Sequence, residues 1–298
     1  MATELSRGDL FKPNLVSDLI DKVQGHSSIA ALSAQKPIPF NGQDQFTFTL
    51  DSEIDVVAEN GKKSHGGMSL EPVTIVPIKV EYGARVSDEF LYAAEEDRIN
   101  VLKSFNDGFA KKLAKGIDLM AFHGVNPRTG ESSGVIGGNS IDEKVDQTVT
   151  FATGSNPDQI IEDAVAVVQG TDNAVSGIAM APTFSSALAK VTVDGDGKGV
   201  KMYPELKWGA NPGSLNGVKM DVNRTVSAYN KDEVILGDFQ NMFKWGYAKQ
   251  IPMEVIKYGD PDNSGRDLKG YNQVYIRAEA YLGWGLLDPK AFARVVNE

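Results

Sequence analysis

The sequence predicts an α+β protein, and three observations carry that expectation. Helical and strand periodicities mix along the chain without a regular βαβ repeat. One helical stretch, Glu95–Gly124, is much longer than the rest, and one polar-tipped hairpin spans residues 43–80. The 298 residues allow one large domain or two modest ones, and a hydrophobic content of 41% is enough for a real core.

The long helix is predicted from spacing. Ile99, Leu102, Phe105, Phe109, Leu113, Ile117 and Met120 recur every three or four residues, so they share one helix face. Lys103, Asp107, Lys111, Lys115 and Asp118 fall largely on the other side and are expected at the surface. At 1.5 Å per residue the element is roughly 40 Å long, a beam against which the rest of a domain must pack. Gly108 and Gly116 weaken it, and Gly124 and Pro127 end it.

The hairpin precedes it. Phe46, Phe48 and Leu50 alternate with Gln45, Thr47 and Thr49, and Ile54 and Val56 extend this pattern of a strand with one apolar face. Val73–Val80 is the expected returning strand, which Pro72 and Pro77 confine to an edge or an isolated ribbon. The tip, Asn60, Gly61, Lys62, Lys63, Ser64, His65, Gly66 and Gly67, is all turn formers and polar groups and is too polar to bury. A two-stranded ribbon is marginal alone in water, so it needs a support. A neighbouring copy of the chain and the ribbon's own domain are both candidates.

The remaining elements follow in order. Residues 1–12 form a polar arm, Pro13–Gln24 a short helix, and Ser33–Phe40 an extended path set by Pro37 and Pro39. Ser87 is placed to cap a short helix Asp88–Ala94. Asn126–Ser140 is a Gly/Ser-rich loop, and Val145–Phe151 a strand. Asn156-Pro157 starts a helix whose face is Ile160, Ile161, Ala164, Val165 and Val168. Ser176–Ala181 is a buried strand, followed by a helix to about Val191 and a turn-rich stretch Val193–Lys207. Leu215–Val226, Glu233–Leu236 and Lys244–Ile256 are strand-rich, and Asp260–Gly270 is a polar loop. Gln273–Leu282 alternates cleanly, with Val274, Ile276, Ala278, Ala280 and Leu282 on one side.

Composition excludes several functions. A net charge of −10 argues against a surface built to neutralise nucleic-acid phosphates, although it permits enclosing nucleic acid without gripping it. The absence of cysteine excludes disulfides and thiolate metal sites and fits an intracellular birthplace. The first residues lack the apolar core of a signal peptide, and no segment is apolar enough to span a membrane.

The histidines His26, His65 and His123 have no metal-ligand spacing, and His123 suits the negative end of the long helix. Asp194-Gly-Asp196-Gly-Lys198-Gly199 imitates a calcium loop, but Lys198 stands where an oxygen ligand belongs, so it is read as a turn. Lys62-Lys63 suits an acidic partner or simply solubility. No phosphate loop or dinucleotide fingerprint occurs. No catalytic, cofactor-binding or metal residues are therefore assigned, and no enzyme activity is expected.

The order of parts carries a resemblance. Pro72–Leu91, Val234–Gly246 with its Gly-Asp-Phe turn, and Asn272–Val296 with its Arg-Ala-Glu and Ala-Phe follow one another as they do in the major capsid proteins of tailed bacteriophages, the Hong Kong 97-type fold. The likeness runs from about Ala34 to the end. It implies an N-terminal arm and short helix (1–42), an extended E-loop hairpin (43–80), a peripheral domain (81–155 and 260–298) with a spine helix at 95–124, and an axial domain (156–259). It further implies a major head protein of the virion, assembled in the bacterial host cytoplasm. Such a protein is a homo-oligomer, self-assembling as hexamers and pentamers into an icosahedral shell around double-stranded DNA that it does not read. The partners implied are a separate scaffold, a portal and decoration proteins, with no membrane involved. The hairpin tip residues are then the candidates for contact between subunits. Some members cross-link E-loop lysines to neighbouring asparagines; none is expected here, since no acceptor or assisting acid is identifiable. An encapsulin-type nanocompartment of the same fold, or an unrelated α+β enzyme, are the alternatives.

Overall fold

The structure, a computed structural model, describes residues 27–50, 52–89, 95–136, 138–194, 199–249 and 253–298. The predicted helix Pro13–Gln24 and most of the predicted helix Asp88–Ala94 lie outside them. Ser87 is the last residue of a strand, and its hydroxyl accepts from Glu89 N (3.4 Å) as a cap would, while Asp88 N donates to Asn272 O (2.9 Å).

In chain order the elements are α1 (Ser28–Leu32), β1 (Gln43–Leu50), β2 (Met68–Ile75), β3 (Ile78–Ser87), α2 (Glu95–His123), α3 (Ile141–Lys144), β4 (Thr148–Phe151), α4 (Pro157–Gln169), β5 (Gly177–Met180) and α5 (Pro182–Leu188). Then come β6 (Ser214–Leu215), β7 (Val218–Val222), β8 (Asp232–Gly237), β9 (Phe243–Lys249), β10 (Met253–Ile256), β11 (Gln273–Leu286) and β12 (Phe292–Asn297). They form three sheets: the ribbon β1–β2, a four-stranded sheet centred on β11, and a six-stranded sheet ordered β4-β12-β8-β5-β7-β6.

The centre of the second sheet is the strand with the cleanest alternation. β11 pairs with β3 on one edge, and with β10 and then β9 on the other. Val274, Ile276, Ala278, Ala280 and Leu282 are each at most 1% exposed, and this face meets α2 through Leu102, Phe109, Leu113 and Ile117. β11 runs four residues past the predicted end. Gly283 and Gly285 interrupt the alternation, but β9 supplies hydrogen-bond partners and Trp284 and Leu286 are buried.

α2 ends where glycine permits it, with Gly124 at φ +67° and its N–H on Met120 O (2.9 Å). The predicted stripe is the buried one for Leu102, Phe109, Leu113, Ile117 and Met120. The opposite side needs a correction. From Leu113 to His123 only Lys115 is exposed, and Asp118, expected at the surface, is fully buried. The reason is tertiary: α1 and the turn after β7 cover that side of the helix, as the hydrogen bonds of Asp118 show.

The chain between α1 and β1 lies along β9, with Lys36 N on Trp245 O (2.9 Å) and Ile38 N on Tyr247 O (3.1 Å). A Cβ at Gly246 would stand 1.6 Å from Lys36 O, so only glycine lets this segment pass.

The six-stranded sheet carries its own core. Ile160, Ala164 and Val168 of α4 pack with Ile178, Met180, Phe184, Leu236 and Val295. Asn156 caps α4 by accepting from Asp158 N (3.1 Å), as predicted from Asn-Pro. β4 and β12, grouped from sequence with the peripheral part, pair into this sheet through Arg294–Asn297 and Thr148–Phe151. Conversely β9 and β10, grouped with the axial part, pair with β11.

Candidate functional site

The ribbon is the feature that no packing among the described residues explains. Its ladder runs from Gln43↔Ile75 to Leu50↔Met68. The register sets Phe46 opposite Pro72, Phe48 opposite Leu70 and Leu50 opposite Met68, so these apolar residues share one face. That face is in solvent: Phe46 is 59%, Phe48 58%, Leu50 69%, Met68 76% and Leu70 58% exposed. The ribbon does not fold back onto its own domain.

The ribbon is held at its foot. Ile75 is buried against Gly283 and Gly285 of β11, and Val76-Pro77 then breaks the strand before β3 begins. The single returning strand predicted at Val73–Val80 is therefore two strands in different sheets, because Pro77 has no N–H for a continuous ladder.

The predicted extension through Ile54 and Val56 does not pair, since β1 stops at Leu50. In this register Ser52 would face Gly66 and Ile54 would face Ser64, residues with little tendency to extend a ladder. Ile54 and Val56 are 95% and 94% exposed.

The predicted tip residues lie together beyond the end of this ladder. Asn60, Gly61, Lys62, Lys63, Ser64, His65, Gly66 and Gly67 are all exposed. The chain reverses at a turn with Asn60 at φ +68° and Gly61 N on Ala58 O (2.8 Å). They present ammonium, imidazole and amide groups to solvent at the far end of an apolar ribbon.

Two buried polar nodes were missed from sequence. Asp118 accepts from Ser28 N (3.0 Å), Ile29 N (3.3 Å), Asn223 Nδ2 (3.1 Å), Thr225 Oγ1 (2.8 Å) and the hydroxyl of Ser27. Burial pushes its carboxyl up to about 6 against the pull of these donors. The available signal was one acid in the apolar run Ile117-Asp118-Leu119-Met120, which calls for a buried acceptor with donors.

The second node joins the end of α2 to the six-stranded sheet. His123 Nδ1 contacts Asp142 Oδ2 (2.8 Å) and its Nε2 meets Thr225 O (2.7 Å). Arg294 grips Asp232 with Nε on Oδ2 (3.0 Å) and Nη2 on Oδ1 (3.0 Å), and its Nη2 lies 3.3 Å from Asp142 Oδ1. Burial works against the charged imidazole, but Asp142 outweighs it and the pKa of His123 is raised. Burial likewise raises Asp232, against the opposing pull of Arg294.

His123, Asp142 and Asp232 offer ligand atoms within 4.8 Å of one another, so a cation is conceivable on geometry alone. Yet both imidazole nitrogens are engaged and the Arg294 guanidinium already faces both carboxylates. The arrangement is that of an internal ion-pair network. At the sequence-predicted calcium mimic, the described residues form a bridge between Thr192 and Lys201, and 195–198 lie outside them.

A long helix packed on a sheet centred on β11, a second sheet with its own core, and a projecting ribbon together define the Hong Kong 97-type capsid fold. The profile of the phage capsid family matches residues 7–297, and the chain belongs to that family. A solved structure from Mycobacterium phage Ogopogo is 31% identical, covers 92% of each chain and superposes with a TM-score of 0.77. One from Gordonia phage Cozz is 24% identical, covering 91% of this chain and 87% of the other, with a TM-score of 0.74. The capsid of an empty GTA particle shares the fold at 16% identity, with 91% and 90% covered and a TM-score of 0.64. No curated protein sequence matches the chain.

Proposed function

We propose that this capsid-family protein is the major head protein of a tailed bacteriophage, assembling as hexamers and pentamers into an icosahedral shell around double-stranded DNA. The observation that carries the reading is the ribbon, whose apolar face is in solvent while only its foot is anchored. Exposed apolar patches of this kind mark interaction surfaces, and a second copy is the partner that a shell supplies at every ribbon. The tip, Asn60–Gly67, lies at the end of the ribbon opposite its foot and is the proposed intersubunit contact.

The division of labour follows the sheets. The four-stranded sheet with α2 is the peripheral domain, and the six-stranded sheet with α4 and α5 is the axial domain that lines the capsomer centre. On this topology β4 and β12 go with the axial domain, and β9 and β10 with the peripheral one. A net charge of −10 suits a wall that contains a pumped genome without binding it. Scaffold, portal and decoration proteins are the expected partners, and the site of assembly is the host cytoplasm. Among the described residues no helix is long and apolar enough to cross a membrane.

Electron microscopy of the purified protein, alone and with its scaffold, tests the reading. Closed shells are the expected result, and a protein that stays monomeric under every assembly condition overturns it.

A further inference from the structure

The loop between β10 and β11 reads Asp260-Pro-Asp262-Asn263-Ser264-Gly265-Arg266-Asp267. This spacing is that of the first half of a calcium-binding loop. Carboxylates stand at places one and three, a hydroxyl at five, glycine at six for the sharp turn, and a main-chain carbonyl at seven. The backbone follows the pattern too. Gly265 is at φ +76°, and Asp260 folds the loop on itself by accepting from Ser264 N (3.1 Å), Ser264 Oγ (3.2 Å) and Gly265 N (2.7 Å).

The centre of this loop is filled by a side chain from another element. Arg85 of β3 donates through Nη2 to Asp260 Oδ1 (2.7 Å), Asp262 Oδ1 (2.5 Å) and Arg266 O (2.9 Å), and through Nε to Asp262 Oδ2 (2.8 Å). The oxygens of places one, three and seven thus converge on one guanidinium nitrogen. Nη1 reaches Gln273 Oε1 (3.2 Å) at the start of β11. The twelfth place, where a calcium loop carries a bidentate acid, is Tyr271, and Asp267 is spent on Gly259 N (3.1 Å) and Gly270 N (3.0 Å). The hydrogen bond from Arg85 holds the Asp262 carboxyl well below the usual carboxylate range, against the smaller opposing effect of burial.

We propose that Arg85 is a built-in cation that occupies the seat calcium takes in loops of this pattern, so that residues 260–267 fold and stay tied to β3 without a metal ion. An arginine is suited to this because its fork of donors satisfies several oxygens at once and keeps its charge at every relevant pH. An ordinary surface ion pair, by contrast, would contribute little and leave no latent metal site.

The test uses the full-length chain as wild type, Arg85→Gln and the double variant Arg85→Gln/Asp262→Asn. Thermal unfolding is followed in EDTA, in about 5 mM calcium chloride and in about 5 mM magnesium chloride, bracketing the affinity expected for a loop lacking its twelfth ligand. The wild type should unfold at the same temperature in all three. Arg85→Gln should unfold several degrees lower in EDTA and regain at least half of the loss in calcium but not in magnesium. The double variant should show no calcium response. If Arg85→Gln does not fold in EDTA, refolding into calcium but not magnesium supports the proposal, and failure in both overturns it. A calcium-dependent wild type, an Arg85→Gln protein as stable as wild type, or one that ignores calcium also overturns it.

Discussion

The ribbon and the C-terminal half of α2 are built on equally clear hydrophobic periodicities and end in opposite environments. In the ribbon, Phe46, Phe48 and Leu50 keep a perfect period of two and stay more than half exposed. In α2, the residues from Leu113 to His123 are buried nearly all round, and the side expected in solvent contains Asp118 at 0% exposure. Periodicity says which residues share a face. It does not say how many faces will be covered, or by which chain.

The largest effect that tests this contrast is on assembly. Deleting Asn60–Gly67, or replacing Phe48 and Leu70 together by serine, is expected to leave a folded subunit and abolish shells in electron micrographs. The unfolding temperature should barely move, since exposed substitutions usually cost less than about 0.5 kcal/mol. Normal shells from either variant would remove the ribbon's role between subunits.

On the helix the balance reverses. Phe109→Ala empties a buried site between α2 and β11 and should cost about 3–5 kcal/mol in denaturant unfolding. A cost below about 1 kcal/mol would mean the helix is not the main support of the β11 sheet.

Asp118→Asn comes next, at about 2 kcal/mol, because an amide cannot accept from all of the donors now on the carboxylate. Its pH dependence has a definite sign. A carboxyl raised to about 6 in the folded protein holds its proton more tightly than the unfolded chain does. Its stabilising contribution is complete below the unfolded value and is lost as pH rises through about 6. Wild type should therefore lose more stability between pH 4 and pH 7 than Asp118→Asn does, measured as the slope of unfolding free energy with pH. Equal slopes would show that Asp118 does not titrate in this window.

The smallest effect is expected on covalent chemistry. Assembled particles should run as monomer on a denaturing gel, and a ladder of multimers would show a cross-link at Lys62 or Lys63.

Much of the fold was legible in the sequence. The long helix, the capped start at Asn156-Pro157, the buried strand at Gly177–Met180 and the alternation of β11 follow from local spacing, because local spacing alone decides which side chains can share a face. The ribbon was legible as a long hairpin, though not what it rests on, and its tip as a polar turn. What local signals could not supply were pairings between distant segments. β4 and β12 belong to the six-stranded sheet, and β9 and β10 to the sheet of β11, because hydrogen-bond partners lie far apart in the chain. The short helices α1 and α3 are too brief for a periodic signal.

By itself the sequence determined the α+β class, the longer elements and the residues that line their apolar stripes, since these depend on side-chain chemistry at fixed local geometry. Only the tertiary structure decided that Asp118 lies under α1, that His123 is tied to Asp142 and Thr225, that Arg85 fills the loop at Asp260–Asp267, and that the described residues leave the ribbon's apolar face uncovered. Each of these depends on which distant groups arrive to satisfy a charge or bury a surface, and one segment's spacing does not encode the other's arrival.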